Sequence, residues 1–246
     1  MRLDTFTTPR TARVALLGPA DASALRGIRE LWIVLHGYGE LAAPFLENFR
    51  CLDDGTRLIV APEALSRHYA GRLEDRIGKE VPIGASWMTK EAREHEIHDY
   101  LTYLDGLHAH LLTQLNGATP AITVLGFSQG GATSARWVAS GSVPVARHLL
   151  WGCALPPELD IATAAAPLRR PNTVLVVGSR DRFAPPDAVA RERERLDAVY
   201  FPYTFESFEG GHRLDTQTLG RLAASNSGTN SVQRPRPTER LSSAPL

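Results

Sequence analysis

The chain has 246 residues, 43% hydrophobic and 22% charged, enough to build one substantial core. Lys plus Arg and Asp plus Glu both number 27, so the formal net charge is zero. That balance argues against a broad nucleic-acid-binding face and against a polybasic membrane-surface protein. No apolar run approaches the roughly 18 residues that a bilayer-spanning helix needs, so no stable membrane insertion is expected. Met1 to Pro19 lacks a basic start, an apolar run and a small-residue cleavage site, so no secretory leader is expected. The two cysteines, Cys51 and Cys153, lie far apart. They make neither a disulfide framework nor a metal quartet, and a cytoplasmic location is the expectation.

In chain order, Leu3 to Leu17 reads as two extended runs around Pro9-Arg10, an antiparallel edge hairpin. Leu31 to Leu35 (LWIVL) ends in His36-Gly37-Tyr38-Gly39, and Arg57 to Ala61 (RLIVA) ends in Pro62. Ala64 to Met88 has no clear period and carries Gly71, Gly78, Pro82 and Gly84. So long an irregular insert reads as a lid. Thr89 to Leu115 places Ile97, Leu101, Leu104, Leu107, Leu111 and Leu115 on one helical stripe. Ala121 to Leu125 (AITVL) is another apolar run, followed by a helix from just after Ser128 to about Ser140. His148 to Trp151 and Thr173 to Val177 are two more runs. A helix from Pro186 to about Val199 carries proline near its start, where a missing N–H costs little. Short Val/Ile/Leu runs without polar alternation read as strands buried on both faces of a parallel sheet. Alternation of strand and helix makes the class α/β, with a mostly parallel central sheet flanked by helices. Residues 1–224 read as one domain, with 64–88 as its lid-like insert. Ser225 to Leu246 is Ser/Asn/Pro/Arg-rich and reads as a disordered tail.

Gly126-Phe127-Ser128-Gln129-Gly130 matches G-x-S-x-G between a buried strand and a helix, the context this nucleophile turn demands. Glycine two before and two after Ser128 removes collisions in a tight turn. The helix start behind the serine favours a developing oxyanion. A serine hydroxyl needs a histidine base, and the base needs an orienting carboxylate. After Ser128 only His148 and His212 remain. His148 reads as a strand-entry residue, whereas His212 follows a strand end and the Gly210-Gly211 loop. Asp181 lies just past a strand end and is the preferred acid. Asp187, in a first helical turn, and Asp160, before the strand, are its rivals. The backbone N–H of Gln129 and that of Tyr38, between two glycines, are the candidate oxyanion donors.

These pieces resemble the carboxylesterase, lysophospholipase and acyl-protein thioesterase family of α/β-hydrolases. The matching stretches are LHGYGE at 35–40, IVAPEA at 59–64, the Trp87 region, GFSQGG at 126–131, GSRDRFAP at 178–185 and GGH at 210–212. The resemblance runs from about residue 12 to 224 and implies an α/β-hydrolase fold. It implies hydrolysis of acyl esters or thioesters without metal or cofactor. It also implies that Tyr38 is the second oxyanion donor and that Trp87 sits near the acyl site. Phe183, inside GSRDRFAP, is the other substrate-side candidate. The chain departs from the family in carrying Glu40 where members commonly have Asp, and Met88-Thr89 where an aromatic and Asp are common.

The expected partner is a small-molecule acyl ester or thioester, with the protein a monomer or homodimer. His95 and His98 are three apart rather than four, so they read as a polar helix face and not as a zinc motif. Two competing functions stand beside hydrolysis: a catalytically silent binding protein on the same fold, and a peptidase, since triad geometry alone does not choose ester over amide.

Overall fold

The computed structural model describes residues 1–71, 80–163 and 166–225. Its strands are β1 (Val14–Leu17), β2 (Glu30–Leu35), β3 (Arg57–Pro62), β4 (Ser66–Tyr69), β5 (Ile83–Ser86), β6 (Ala121–Phe127), β7 (Val145–Trp151), β8 (Asn172–Gly178) and β9 (Thr204–Phe208). Its helices are α1 (Ala22–Leu25), α2 (Ala42–Leu46), α3 (Arg93–Gln114), α4 (Gln129–Ser140), α5 (Pro186–Asp197) and α6 (Thr216–Ala224). Seven strands form one sheet in the order β1-β3-β2-β6-β7-β8-β9. β1 runs antiparallel to β3, and the other neighbours are parallel.

The apolar runs lack alternation because both faces of the sheet are covered. Leu31, Ile33 and Leu35 face a core shared with Tyr100, Leu104 and Leu111 of α3 and Trp137 of α4. Trp32 and Val34 face the opposite core, with Phe45 of α2 and Leu219 and Leu222 of α6. Among the described residues, no helix is long and apolar enough to cross a membrane.

Chain order reverses around β2. β3 lies on one side of it and β6 on the other, although they are the next two strands of this sheet in sequence. Ligand sites in open α/β sheets form at such a reversal, beyond the carboxyl ends of the strands. Here the register Leu35↔Gly126 sets the loop after β2 beside the turn after β6. Phe127↔Trp151, Trp151↔Val176 and Gly178↔Phe208 carry the same level across β7, β8 and β9.

Four expectations change. The N-terminal hairpin is a single edge strand, β1; Leu3 and Phe6 before it are 87% and 91% exposed, with no apolar face to cover. The insert contains the antiparallel ribbon β4–β5, with Tyr69 opposite Ile83; its residues 72–79 lie outside the described residues. Helix α3 starts at Arg93 rather than Thr89. Ala92 before it is left-handed at φ 47°, and the Thr89 hydroxyl donates to the Glu96 carboxylate at 3.0 Å. His148 lies inside β7 and is fully buried, its Nε2 2.9 Å from Ser134 Oγ. The expected disordered tail, apart from Ser225, lies outside the described residues.

Two measurements test this account. Removing residues 1–10 should shift Tm by less than about 2 °C, because a segment exposed along its whole length carries little stability. A larger drop would mean that this segment packs. Burial pushes the His148 pKa down to about 3. Below the ordinary histidine range the unfolded chain then binds a proton that the native protein refuses. Stability is therefore intact above about pH 6.5 and falls as pH drops from there toward 3. His148→Gln should flatten the slope of unfolding free energy between pH 6 and 4 by about 1.4 kcal/mol per pH unit. Equal slopes in urea melts of the two proteins would refute the buried neutral imidazole.

Candidate active site

Ser128 occupies the turn between β6 and α4 at φ 53°, ψ −118°. That is a costly conformation for a residue with a Cβ. Close packing around it explains the flanking glycines. A Cβ on Gly126 would lie 2.4 Å from Gly130 O, and one on Gly130 would lie 2.2 Å from Leu35 O. The Ser128 N–H donates to Trp151 O at 2.9 Å, tying the turn to the end of β7. Its hydroxyl therefore stands at the top of the sheet with the start of α4 behind it.

Asp181 and His212 meet at the same level. His212 Nδ1 lies 2.7 Å from Asp181 Oδ2, and Asp181 is only 4% exposed. Asp181 Oδ1 accepts the backbone N–H groups of Phe183 and Ala184, at 2.8 and 3.2 Å. A carboxylate so held can fix the Nδ1–H tautomer and leave Nε2 as a base. The two loops are joined by their backbones: Ser179 N–H donates to Phe208 O and Arg180 N–H to Gly210 O, both at 2.8 Å. The imidazole reaches the Ser128 turn through Phe127, whose ring centroid is 4.8 Å away. Among the described residues, no hydrogen bond joins Ser128 to His212; such contacts tighten once substrate is bound. Asp187 is exposed and pairs with Arg191 at 2.7 Å. Asp160 accepts the Ala162 N–H within its own turn at 3.0 Å. Cys153 is a poor rival nucleophile, since burial pushes its thiol up to about 12.

The loop after β2 has a distinctive hydrogen-bond account. Gly37 N–H donates to Glu40 Oε2 at 2.6 Å, Gly39 N–H to Ala85 O at 2.8 Å and Glu40 N–H to Gly37 O at 3.3 Å. Among the described residues, the Tyr38 N–H has no acceptor. The Gln129 N–H opens α4 and has no intrahelical acceptor either. Two free donors on adjacent strand ends are what an oxyanion hole requires. The Tyr38 side chain is 64% exposed and stacks on His68, 5.4 Å between centroids.

Sequence reasoning missed the supports of these donors. Glu40 caps Gly37; burial raises its carboxyl, against the Gly37 N–H and the nearby His212, which draw it down. An acid three residues after a turn glycine was the available signal. The Gln129 side chain accepts the Trp87 N–H at 3.0 Å and donates to Met88 O at 2.8 Å. Ala85 N–H donates to Glu40 O at 3.2 Å. Strand β5 and Trp87 thus brace both loops.

The two substrate-side candidates part ways. Phe183 is 65% exposed and its ring lies 4.7 Å from that of His212, so it stands at the site. Trp87 is buried beside the loop after β2. It is 2% exposed, donates its indole N–H to His36 O at 2.9 Å and packs edge-on against Tyr100. That indole fills the core because its one polar group finds a buried acceptor.

Replacing the acid tests the assignment. Asp181→Asn should lower kcat on p-nitrophenyl acetate by about 10³- to 10⁴-fold, because an amide favours the wrong imidazole tautomer. Asp187→Asn should stay within about twofold, as an exposed ion pair contributes little. The reverse ranking in steady-state kinetics would move the acid to α5.

The profile of the Phospholipase/Carboxylesterase family matches residues 26–227. Among solved structures, maize (Zea mays) acyl-protein thioesterase 2 is 16% identical, with a TM-score of 0.64 over 89% of this chain and 100% of that one. Esterase PE8 is 21% identical, with a TM-score of 0.63 over 88% of this chain and 99% of that one. The carboxylesterase of Bacillus cereus is 13% identical, with a TM-score of 0.61 over 88% and 93%. At these identities the solved structures show the fold alone. No curated protein matches the chain significantly. With the family profile covering most of its length, the chain belongs to the phospholipase/carboxylesterase family of α/β-hydrolases.

Proposed function

We propose that the protein hydrolyses carboxylic esters or thioesters of small to medium acyl chains through Ser128, His212 and Asp181. The observation that carries the reading is the 2.7 Å contact between Asp181 and His212, one strand loop from a serine held at φ 53°. In the proposed reaction Ser128 Oγ attacks the acyl carbonyl while His212 Nε2 takes its proton. The Tyr38 and Gln129 N–H groups receive the oxyanion of the tetrahedral intermediate. His212 then protonates the departing alcohol or thiol, leaving Ser128 acylated. Water, deprotonated by the same imidazole, attacks the acyl-enzyme and releases the acid and free Ser128. Each step uses groups of this chain and water alone. Free cysteines at Cys51 and Cys153 fit a reducing, cytoplasmic setting.

Hydrolysis and silent binding separate cleanly. A fluorophosphonate probe should label the wild type at Ser128, and Ser128→Ala should abolish both labelling and ester turnover. Loss of the nucleophile costs about 10⁴-fold or more in kcat. Unlabelled, well-folded wild-type protein would favour the binding reading. Labelled protein that cleaves an anilide as fast as an ester would favour a peptidase.

A further inference from the structure

Behind the Asp181 loop lies a cavity of about 80 Å³, between β8, β9 and the first turns of α5. Its walls are mostly apolar, with Leu175, Val177, Val189, Phe205 and Cys153 among them. The one charged lining residue is Glu192.

Two lining residues, Phe183 and Cys153, and Gly152 beside Cys153 place this cavity next to the proposed reaction centre. Phe183 stands at its edge, its ring 4.7 Å from the His212 ring. Cys153 presses on the turn after Ser128: a Cβ on Gly131 would lie 2.0 Å from its sulfur. Gly152, the neighbour of Cys153, packs under the imidazole, where a Cβ would lie 3.0 Å from His212 Cε1. The cavity thus adjoins both the base and the start of α4.

Glu192 is fully engaged. Its Oε1 accepts the Leu155 N–H at 3.0 Å and Arg195 Nη2 at 2.9 Å, and its Oε2 accepts Arg195 Nε at 2.9 Å. Arg195 also donates to Leu155 O at 3.0 Å. The pair pins the segment after β7 to α5, with the carboxylate side chain only 12% exposed. So held, it has no donor capacity to offer and no vacancy for a cation. An alkyl chain pressed against it would strip its remaining hydration without returning a hydrogen bond.

We infer that this cavity holds the acyl chain and that Glu192 is its polar floor, limiting the preferred acyl group to about six carbons. The size follows from the room: a cavity of about 80 Å³ has space for a short alkyl chain and not for a long one. The inference rests on the reading of Ser128 as the nucleophile and names the substrate class of that site.

The test is kcat/KM for p-nitrophenyl esters from acetyl to dodecanoyl. In the wild type it should rise about fourfold per methylene up to hexanoyl and fall by dodecanoyl. Ala188→Phe, which points a ring into the cavity from α5, should cost hexanoyl at least tenfold and leave acetyl within about twofold. Glu192→Ala should move the optimum to longer chains, while Glu192→Gln should keep it. Melting curves establish that each variant folds; should Ala188→Phe melt early, Ala188→Leu carries the same test with a smaller loss. A folded Ala188→Phe with the wild-type profile, or a wild type that prefers dodecanoyl, overturns the inference. If the wild type cleaves no ester, the nucleophile reading fails and the cavity is judged by thermal shift with free carboxylates of two to twelve carbons. A shift that peaks near six carbons and disappears in Ala188→Phe then supports the cavity as a chain site, and a flat series overturns it.

Discussion

The close approach of the α4 start to the end of β2 is the constraint on which the site depends. With no Cβ on Gly130, the backbone of the helix start reaches Leu35 O and His36 O. That contact sets Ser128 beside the loop that carries Tyr38. Any side chain at Gly130 would push helix and strand apart, separating the two backbone donors proposed for the oxyanion. The same logic recurs at Gly178, where a Cβ would lie 2.5 Å from Gly210 O and from Gly211 O. There the approach holds the Asp181 loop against the His212 loop. The proposed acid, base and nucleophile are positioned mainly by backbone packing at strand ends, and strand register sets their common level.

Around this frame, buried polar contacts keep the loops from relaxing. His36 is fully buried; its Nδ1 lies 2.8 Å from Gly37 O and its Nε2 accepts the Ala64 N–H at 3.0 Å. Those two bonds assign the proton to Nδ1, and burial, the larger influence, holds the ring neutral. Glu63, 2% exposed, accepts the Ala42 N–H at 3.2 Å and pairs with Arg67. With the Gln129 clamp, these bonds connect β2, β3 and β5 around one turn. Low local dielectric makes each bond worth more and each loss dearer. Part of the insert therefore holds the loops of the proposed site in place, and the burial of Trp87 goes with that role.

How much of this was legible depends on the range of the deciding interaction. The buried strands are readable from their own five to seven residues, because burial on both faces leaves a continuous apolar run. The turn at Ser128 is readable because its steric demand falls on glycines two residues away. Ribbon β4–β5 is not: four-residue strands are too short to show a period, and what pairs them is each other across the insert. The burial of Trp87 is not legible for the same reason. An indole facing a pocket and one facing the core look alike in sequence, and the acceptor that decides lies at His36, 51 residues away. Glu40 and the Gln129 side chain escaped because their roles are to hold backbone groups; only the three-residue step from Gly37 to Glu40 is local, and the partners of Gln129 lie more than 40 residues away.

This division has a functional consequence. Reaction geometry set by backbone approach tolerates few residue types, so it writes itself into the chain as glycines at fixed offsets. Substrate choice does not work that way. The side chains at the mouth, Tyr38 and Phe183, are more than half exposed, and the adjacent cavity is lined by ordinary apolar residues from several elements. The Tyr38 and Phe183 side chains can change size while the backbone bonds from Ser128 N–H to Trp151 O and from Asp181 N–H to Gly178 O stay in place. A methylene more or less at such a wall shifts preference by about fourfold, far less than the loss of a triad member. The proposed chemistry is thus the rigid and legible part of this chain, and specificity is the adjustable part, readable only once the side chains are placed in space.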